Sequence, residues 1–124
     1  MTETRVIKKY PNRRLYDTRD SRYITLSDIR RLVLEERGFT VIDKKSGSDI
    51  THTILLQVIG EQERHGPSVL SEGFLTRVIR ASNEGAPDLL RDYLEQSLEL
   101  FVAEQRHAAE ATRVLTRTPV RSAT

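Results

Sequence analysis

Nine consecutive positions, Lys8-Lys9-Tyr10-Pro11-Asn12-Arg13-Arg14-Leu15-Tyr16, hold four cations, two phenols and one carboxamide. Each of these groups has a use on nucleic acid. Lys and Arg neutralise phosphates and release condensed counterions, Arg can grip guanine O6/N7 bidentately, Asn can read adenine, and Tyr can bond phosphate or stack on a base. The distribution of charge supports the same chemistry. Residues 1–31 carry nine Lys/Arg against four Asp/Glu, a net +5, while the remainder carries eleven against fourteen, a net −3, in a chain of formal charge +2. A basic head on an acidic body focuses its field where a polyanion would be met. The competing structural reading is a solvated, Pro-interrupted edge strand whose tyrosines pack inward.

Other chemistries find little support. His52, His65 and His107 lack the i, i+3 or i+4 spacing that puts two imidazoles on one helical face, so they are read as surface or capping residues. With no cysteine, the chain has no disulfide, thiolate metal site or cysteine nucleophile. A Gly-rich phosphate loop and a Gly-x-Ser-x-Gly elbow are both missing from the sequence. The acids Glu35, Glu36, Glu61, Glu63, Glu95 and Glu99 sit at helix-surface spacing. We therefore expect no enzyme, no catalytic residue, no metal site and no cofactor. The longest apolar run, Leu100 to Ala103, is four residues, against about 20 needed to cross a bilayer. With the polar start Thr2-Glu3-Thr4-Arg5, this leads to the expectation of a cytoplasmic protein with no membrane partner.

A length of 124 residues suits one ordinary domain or two small ones. Arg14-Leu15-Tyr16 and Tyr23-Ile24-Thr25 are β-prone runs flanking the polar stretch Thr18-Arg19-Asp20-Ser21, which suits a type I turn. Pairing them as a hairpin opposes Asp17 with Arg22, Tyr16 with Tyr23, Leu15 with Ile24 and Arg14 with Thr25. One face then gathers Leu15, Ile24 and Leu26, with an Asp17–Arg22 pair at its end, and the other gathers Arg14, Tyr16, Tyr23 and Thr25. A one-residue slip would reverse the faces. Pro11 breaks a continuous strand, so Lys8 and Lys9 are expected on a projecting arm.

A helix capped by Thr25 or Ser27 follows, buried through Leu26, Ile29, Leu32 and Val33 and ending near Gly38. Phe39 to Asp43 reads as a strand and Lys44–Ser48 as a turn. A second helix, capped by Asp49 or Thr51, buries Ile54, Leu55, Val58 and Ile59. Gly66-Pro67 marks a boundary between this βαβα-like half and a helical half. Beyond it, Ser71 caps a short helix carrying Phe74, Leu75, Val78 and Ile79. Pro87 then opens an uninterrupted helix of roughly 28 residues, near 42 Å long. On it Leu94, Leu98, Phe101, Gln105, Ala108, Thr112 and Leu115 recur at steps of four and three, the spacing of a coiled-coil seam. A helix packed on its own domain is the alternative to self-association.

The segment Ile7-Lys8-Lys9-Tyr10-Pro11-Asn12-Arg13-Arg14-Leu15-Tyr16-Asp17-Thr18, followed by Ser21-Arg22-Tyr23-Ile24-Thr25-Leu26, closely resembles the N-terminal domain of the bacterial polyhydroxyalkanoate synthesis repressor family. The resemblance continues through Phe39–Asp43, Ser46–Thr51 and Leu56–Glu61. Leu70–Leu75 and Tyr93–Phe101 look like that family's second block, so roughly residues 5 to 105 are covered. The resemblance implies a cytoplasmic repressor binding promoter DNA of granule-coating phasin and polymer-synthesis genes, relieved when polymer or granule surface competes for it. The chain departs from relatives that often extend further past the position of Leu115.

The combined expectation is an α+β protein. A small N-terminal β-hairpin or sheet with two helices (1–65, the DNA-binding domain) precedes an all-α C-terminal part with a long oligomerising helix (68–115, also the granule and effector region). A disordered tail (116–124) follows. The DNA-binding candidates are Lys8, Lys9, Asn12, Arg13, Arg14, Tyr16 and Tyr23. Tyr93, Leu94, Leu98, Phe101 and Val102 are the candidates for an oligomer or polymer interface. Expected partners are promoter DNA, the polyhydroxyalkanoate polymer or granule surface, and further copies of the chain as a dimer or tetramer. A ribbon rather than a recognition helix should approach the DNA, with Arg30 and Arg31 supporting it at phosphates. The alternatives are a protein whose basic head binds RNA or another polyanion, and a granule-coating protein without regulatory DNA binding.

Overall fold

The structure, a computed structural model, describes residues 4–117, with side chains described as far as Arg113. It divides into two compact units, Met1–Leu70 and Ser71–Thr124. The first is α+β: β1 (Arg5–Lys9), β2 (Leu15–Asp17), β3 (Arg22–Ile24), α1 (Leu26–Leu34), β4 (Phe39–Asp43) and α2 (Thr51–His65). The strands form one sheet in the order β3-β2-β1-β4, antiparallel except for the parallel pair β1 and β4.

The hairpin has the expected register, with Leu15 opposite Ile24, Tyr16 opposite Tyr23 and Asp17 opposite Arg22. Strand β1 is where the sequence reading fails. Lys8 and Lys9 do not project on an arm, because Arg5–Lys9 is an inner strand paired on both edges. Pro11 falls just beyond it, in the turn to β2, where a missing N–H costs no ladder bond. The first unit therefore runs βββαβα rather than βαβα.

Alternation along β1 turns Arg5 and Ile7 inward. Ile7 joins Leu15, Ile24, Ile29, Leu32, Val41, Ile54 and Val58 in a core roofed by α1 and α2 on one face of the sheet. Asp17 is buried beside them, but its partner is not Arg22, which is exposed. The Arg5 guanidinium donates to Asp17 Oδ2 at 2.5 Å and to Asp20 Oδ2 at 3.2 Å. Burial alone would push that guanidinium down. The hydrogen bonds and charges of Asp17 and Asp20 outweigh it and hold the group above its ordinary value. The other Asp17 oxygen accepts from the Arg19 and Asp20 N–H groups, so the same carboxylate ties the β2–β3 loop.

Thr25 caps α1 in a reciprocal box, its hydroxyl accepting from the Asp28 N–H while Asp28 accepts from the Thr25 N–H. The helix ends before Gly38. Its C-cap is Glu35, and Glu36 takes the left-handed turn at φ 56°. Helix α2 differs from expectation at its start, since the capping position is Ile50, with no side-chain cap bond. Asp49 instead accepts from the backbone and hydroxyl of Thr51, and the Thr51 hydroxyl accepts from Val41 N–H, stitching helix to strand. Val33 and Ile59 are exposed rather than buried. At the far end of α2, Glu63 accepts from the Val69 and Leu70 N–H groups and from the Ser68 hydroxyl, folding residues 66–70 back on the helix.

The second unit holds α3 (Glu72–Ser82), capped by Ser71, and α4 (Pro87–Arg117), a 31-residue helix opened by proline. No described side chain from Ser71 onward is buried. Phe74, Leu75, Ile79, Leu89, Tyr93, Leu98, Leu100, Phe101 and Val102 are exposed, and Leu94 is half-buried. The Leu115 side chain lies outside the described residues; of the tail expected from 116, Thr116 and Arg117 instead continue α4, and 118–124 lie outside the described residues. Among the described residues no helix is long and apolar enough to cross a membrane.

Two stability predictions follow from the ionic contacts. Asp17→Ala leaves the buried guanidinium only its longer contact to Asp20 and should cost about 3 kcal/mol in urea unfolding, whereas the double replacement Arg5→Met with Asp17→Leu should recover most of that loss. Asp28 and Glu63 are both held below the usual carboxylate range, Asp28 chiefly by the Thr25 N–H and Glu63 chiefly by the Val69 and Leu70 N–H groups. Their contribution is complete above the unfolded carboxylate value near ~4 and is lost as pH falls through the lower folded values. Urea midpoints should therefore be flat above about pH 5 and drop below about pH 4, and Asp28→Asn should remove part of that drop.

Candidate nucleic-acid interface

The sheet has two unlike faces because helices cover only one of them within the first unit. Register puts Val6, Lys8, Tyr16, Tyr23, Thr40 and Ile42 on the opposite side. None of these is buried. Tyr16 and Tyr23 meet edge-to-face with ring centroids 5.2 Å apart, and Tyr10 closes a triangle at 6.4 Å from Tyr16 and 6.3 Å from Tyr23. Quadrupole-matched pairs of this kind contribute about 0.5–1.5 kcal/mol beyond the area they bury, so the phenols form a stiff patch. The Arg14 guanidinium lies over the Tyr23 ring, 4.1 Å from its centroid. That ring face is occupied by the guanidinium.

The turn from β1 to β2 shapes the end of this patch. Arg13 N–H donates to the Tyr10 carbonyl at 2.9 Å, and Tyr10 N–H donates to the Arg14 carbonyl at 2.9 Å. Pro11 supplies a preset φ inside the turn. Asn12 Oδ1 accepts from Arg14 N–H at 3.1 Å, so this oxygen is engaged in the turn. Arg13 has φ 69°, in the left-handed region that a glycine usually fills after such a turn. For a residue with a Cβ this costs about 1–2 kcal/mol.

At the same end of the sheet lies a cleft of about 870 Å3. Lys9, Arg13, Arg14, Tyr23, Thr25 and Gln57 supply its polar groups, over an apolar floor that includes Leu15, Ile24 and Ile54. No carboxylate lines it. A second cleft, around Arg5, Arg22, Arg31 and Arg37, is lined also by Asp17, Asp20, Asp28 and Glu35, which cancel those cations. The cations of the first unit thus include a neutralised cluster at one end of the sheet and, at the other, a cluster whose cleft no acid lines.

Of the nominated residues, Arg13, Arg14 and Asn12 are exposed, Tyr23 is 47% exposed, and Lys8, Lys9 and Tyr16 are half-buried. The structure brings Tyr16, Tyr23 and Arg14 together and places Lys9 with Arg13 and Arg14 at the cleft. Lys8 stands on the open face beside Tyr16. Tyr10 and Gln57 were not nominated. Tyr10 could have been found from its place one residue beyond β1, opposite Arg14, whereas Gln57 arrives from α2 with no local signal. Among the described residues no group of three His, Asp or Glu side chains could hold a metal ion.

Sheet, one-sided helical roof, aromatic patch and acid-free basic cleft together define a binding module with a face suited to a polyanion. Residues 6–66 match the family model described as the PHB/PHA accumulation regulator DNA-binding domain. The chain is 46% identical over 119 residues to an uncharacterized protein of Allochromatium vinosum, covering 96% of this chain and 76% of that one. It is 47% identical over 106 residues to a Thiocystis violacea protein described as an uncharacterized protein in the phbA 5′ region, covering 86% and 77% of the two chains. No solved structure matches. The chain belongs to the PHB/PHA accumulation regulator family, and its first unit is that family's DNA-binding domain. It is a DNA-binding regulator of polyhydroxyalkanoate accumulation.

The aromatic patch predicts a graded response to truncation. Tyr16→Ala removes the half-buried member and should lower unfolding free energy by more than Tyr23→Leu, which should lose about 0.5–1 kcal/mol with the Arg14 stack. Guanidinium denaturation curves check both.

Proposed function

We propose that this protein is a sequence-specific transcriptional repressor of polyhydroxyalkanoate granule genes, with phasin and polymer-synthesis promoters as its targets. Polymer or granule surface binds it and releases it from DNA. The observation that carries the DNA half is the acid-free cluster of Lys9, Arg13 and Arg14 beside the open tyrosine patch. That surface is offered by strands and a turn, so the ribbon meets the duplex, with Lys8, Asn12, Tyr16 and Tyr23 adding contacts. Neither α1 nor α2 presents an equivalent polar face. The Thiocystis violacea relative, by its description, lies in the phbA 5′ region, which suits a regulator of polymer metabolism.

The release half draws on the second unit. Two amphipathic helices with no buried side chain lack a core of their own among the described residues. We read Tyr93, Leu94, Leu98, Phe101 and Val102 as the surface where copies of the chain associate into a dimer or tetramer, doubling the grip of each basic head. Polyester is apolar and competes for the same residues. Occupancy of the helices by polymer therefore removes the avidity on which tight DNA binding depends.

Footprinting of the organism's own phasin promoter with the full chain tests this reading. Protection is expected, and it should disappear as polymer granules are added. Arg14→Ala should weaken the specific complex by about 1–3 kcal/mol if it reads a base, or flatten the salt slope by about one unit if it meets a phosphate. An unchanged affinity and slope would sink the ribbon model. Tighter binding to single-stranded RNA than to promoter duplex at equal salt would favour the RNA alternative. Phe101→Glu should shift the protein to a smaller species in light scattering and weaken both promoter and granule binding.

A further inference from the structure

Consecutive residues on a regular strand point to opposite faces of a sheet. Arg13 and Arg14 are consecutive, yet both line the same cleft. Both precede β2, in the turn from β1, where strand alternation does not apply and Arg13 takes a left-handed φ of 69°. A glycine would adopt that conformation without steric conflict, so the side chain is kept there against the preference of the backbone. Arg13 forms no ion pair among the described residues, and Arg14 is held over Tyr23 rather than by an acid. Lys9, the third cation, has Asp43 as its cross-strand neighbour, so part of its charge is offset. Two guanidinium groups thus converge, uncompensated, on a concave site with Thr25 and Gln57 on its rim.

Resting on the DNA-binding reading above, we propose that this cleft is a phosphodiester-binding site. The strained Arg13 turn exists to bring two guanidinium groups to bear on one backbone phosphate of the duplex. Concavity over a low-dielectric floor strengthens the field there, which a flat lysine surface would not do. The contact positions the protein on the duplex and carries no sequence information by itself. Sequence reading is left to other members of the ribbon.

Three substitutions in the full chain separate charge from strain. Arg13→Gly should melt about 4–8 °C higher, because the left-handed residue loses its Cβ. The same variant should bind promoter and unrelated duplex roughly tenfold more weakly at 0.1 M salt, with the slope of log K against log salt reduced by about one. Arg13→Ala should show the same binding loss with no rise in melting temperature. Arg13→Lys should retain the wild-type salt slope, since a point charge suffices at a phosphate. Wild-type affinity and slope in Arg13→Gly would overturn the phosphate site while leaving DNA binding intact. Loss of binding confined to the promoter sequence would overturn it in favour of base reading. Equal melting of the Gly and Ala variants would overturn the strain argument. A wild-type chain that binds no duplex at all would overturn the functional reading, and this site with it.

Discussion

The contact between Arg5 and Asp17 fixes which side of the sheet faces outward. Asp17 is opposite Ile7 across β1 and β2, and Arg5 reaches it diagonally, from the same face of β1. A buried ion pair of this kind is weak evidence for stability, because desolvating each ion costs several kcal/mol. It is strong evidence for register. Slipping β1 against β2 by one residue would part the two charges and exchange the faces, sending Ile7 outward and Lys8 toward the core. Tyr16 and Tyr23 pair across β2 and β3, and it is Tyr10, carried by β1, whose place against them depends on the register that Arg5 and Asp17 hold. The eight buried apolar side chains favour the same register, since Ile7 lies among them.

From this constraint the division of labour between the two basic clusters follows. Arg5, Arg22, Arg31 and Arg37 stand among acids that neutralise them, and this end of the sheet is structural. Lys9, Arg13 and Arg14 stand at the other end, with Asp43 beside Lys9 and no acid lining their cleft. A net charge taken over a sequence window counts both clusters alike. Geometry separates the cations that hold the fold together from those left for a partner, and only the latter focus a field on solvent.

Much of the fold was legible in local pattern, and the failures have identifiable causes. Leu15, Tyr16, Tyr23 and Ile24 alternate around a polar loop, so hairpin and register could be read directly. Thr25 and Asp28 spell a capping box, and Ser71 and Pro87 mark helix starts in the expected way. Strand β1 was not legible because its partners are β2 and the distant β4, and because Pro11 suggested an interruption that falls two residues past the strand's last paired position, Lys9. The Arg5–Asp17 pair was missed for the same reason. A residue 12 positions away is invisible to helix or hairpin spacing. At the site, residue types were informative and roles were not. Asn12 looks like an adenine reader in sequence, but its oxygen serves the turn. Arg13 and Arg14 look equivalent, although one bears the left-handed turn and the other rests on Tyr23.

The two units face opposite physical problems. In the first, eight side chains are withdrawn from water and an ionic pair settles the register, so the unit carries its own determinants of shape. In the second, α3 and α4 expose aromatic and branched residues along most of their length and bury none among those described. Amphipathic helices without a shared core are stabilised only when another apolar surface meets them. That surface can be a second copy of the chain or something equally apolar, and the two are mutually exclusive on one set of residues. On the function proposed above, such an arrangement links assembly state to the amount of apolar surface in the surroundings. On the same proposal, a DNA grip made of a few exposed cations, whose effect falls steeply with salt, is the kind of weak contact that such a change in valency can switch.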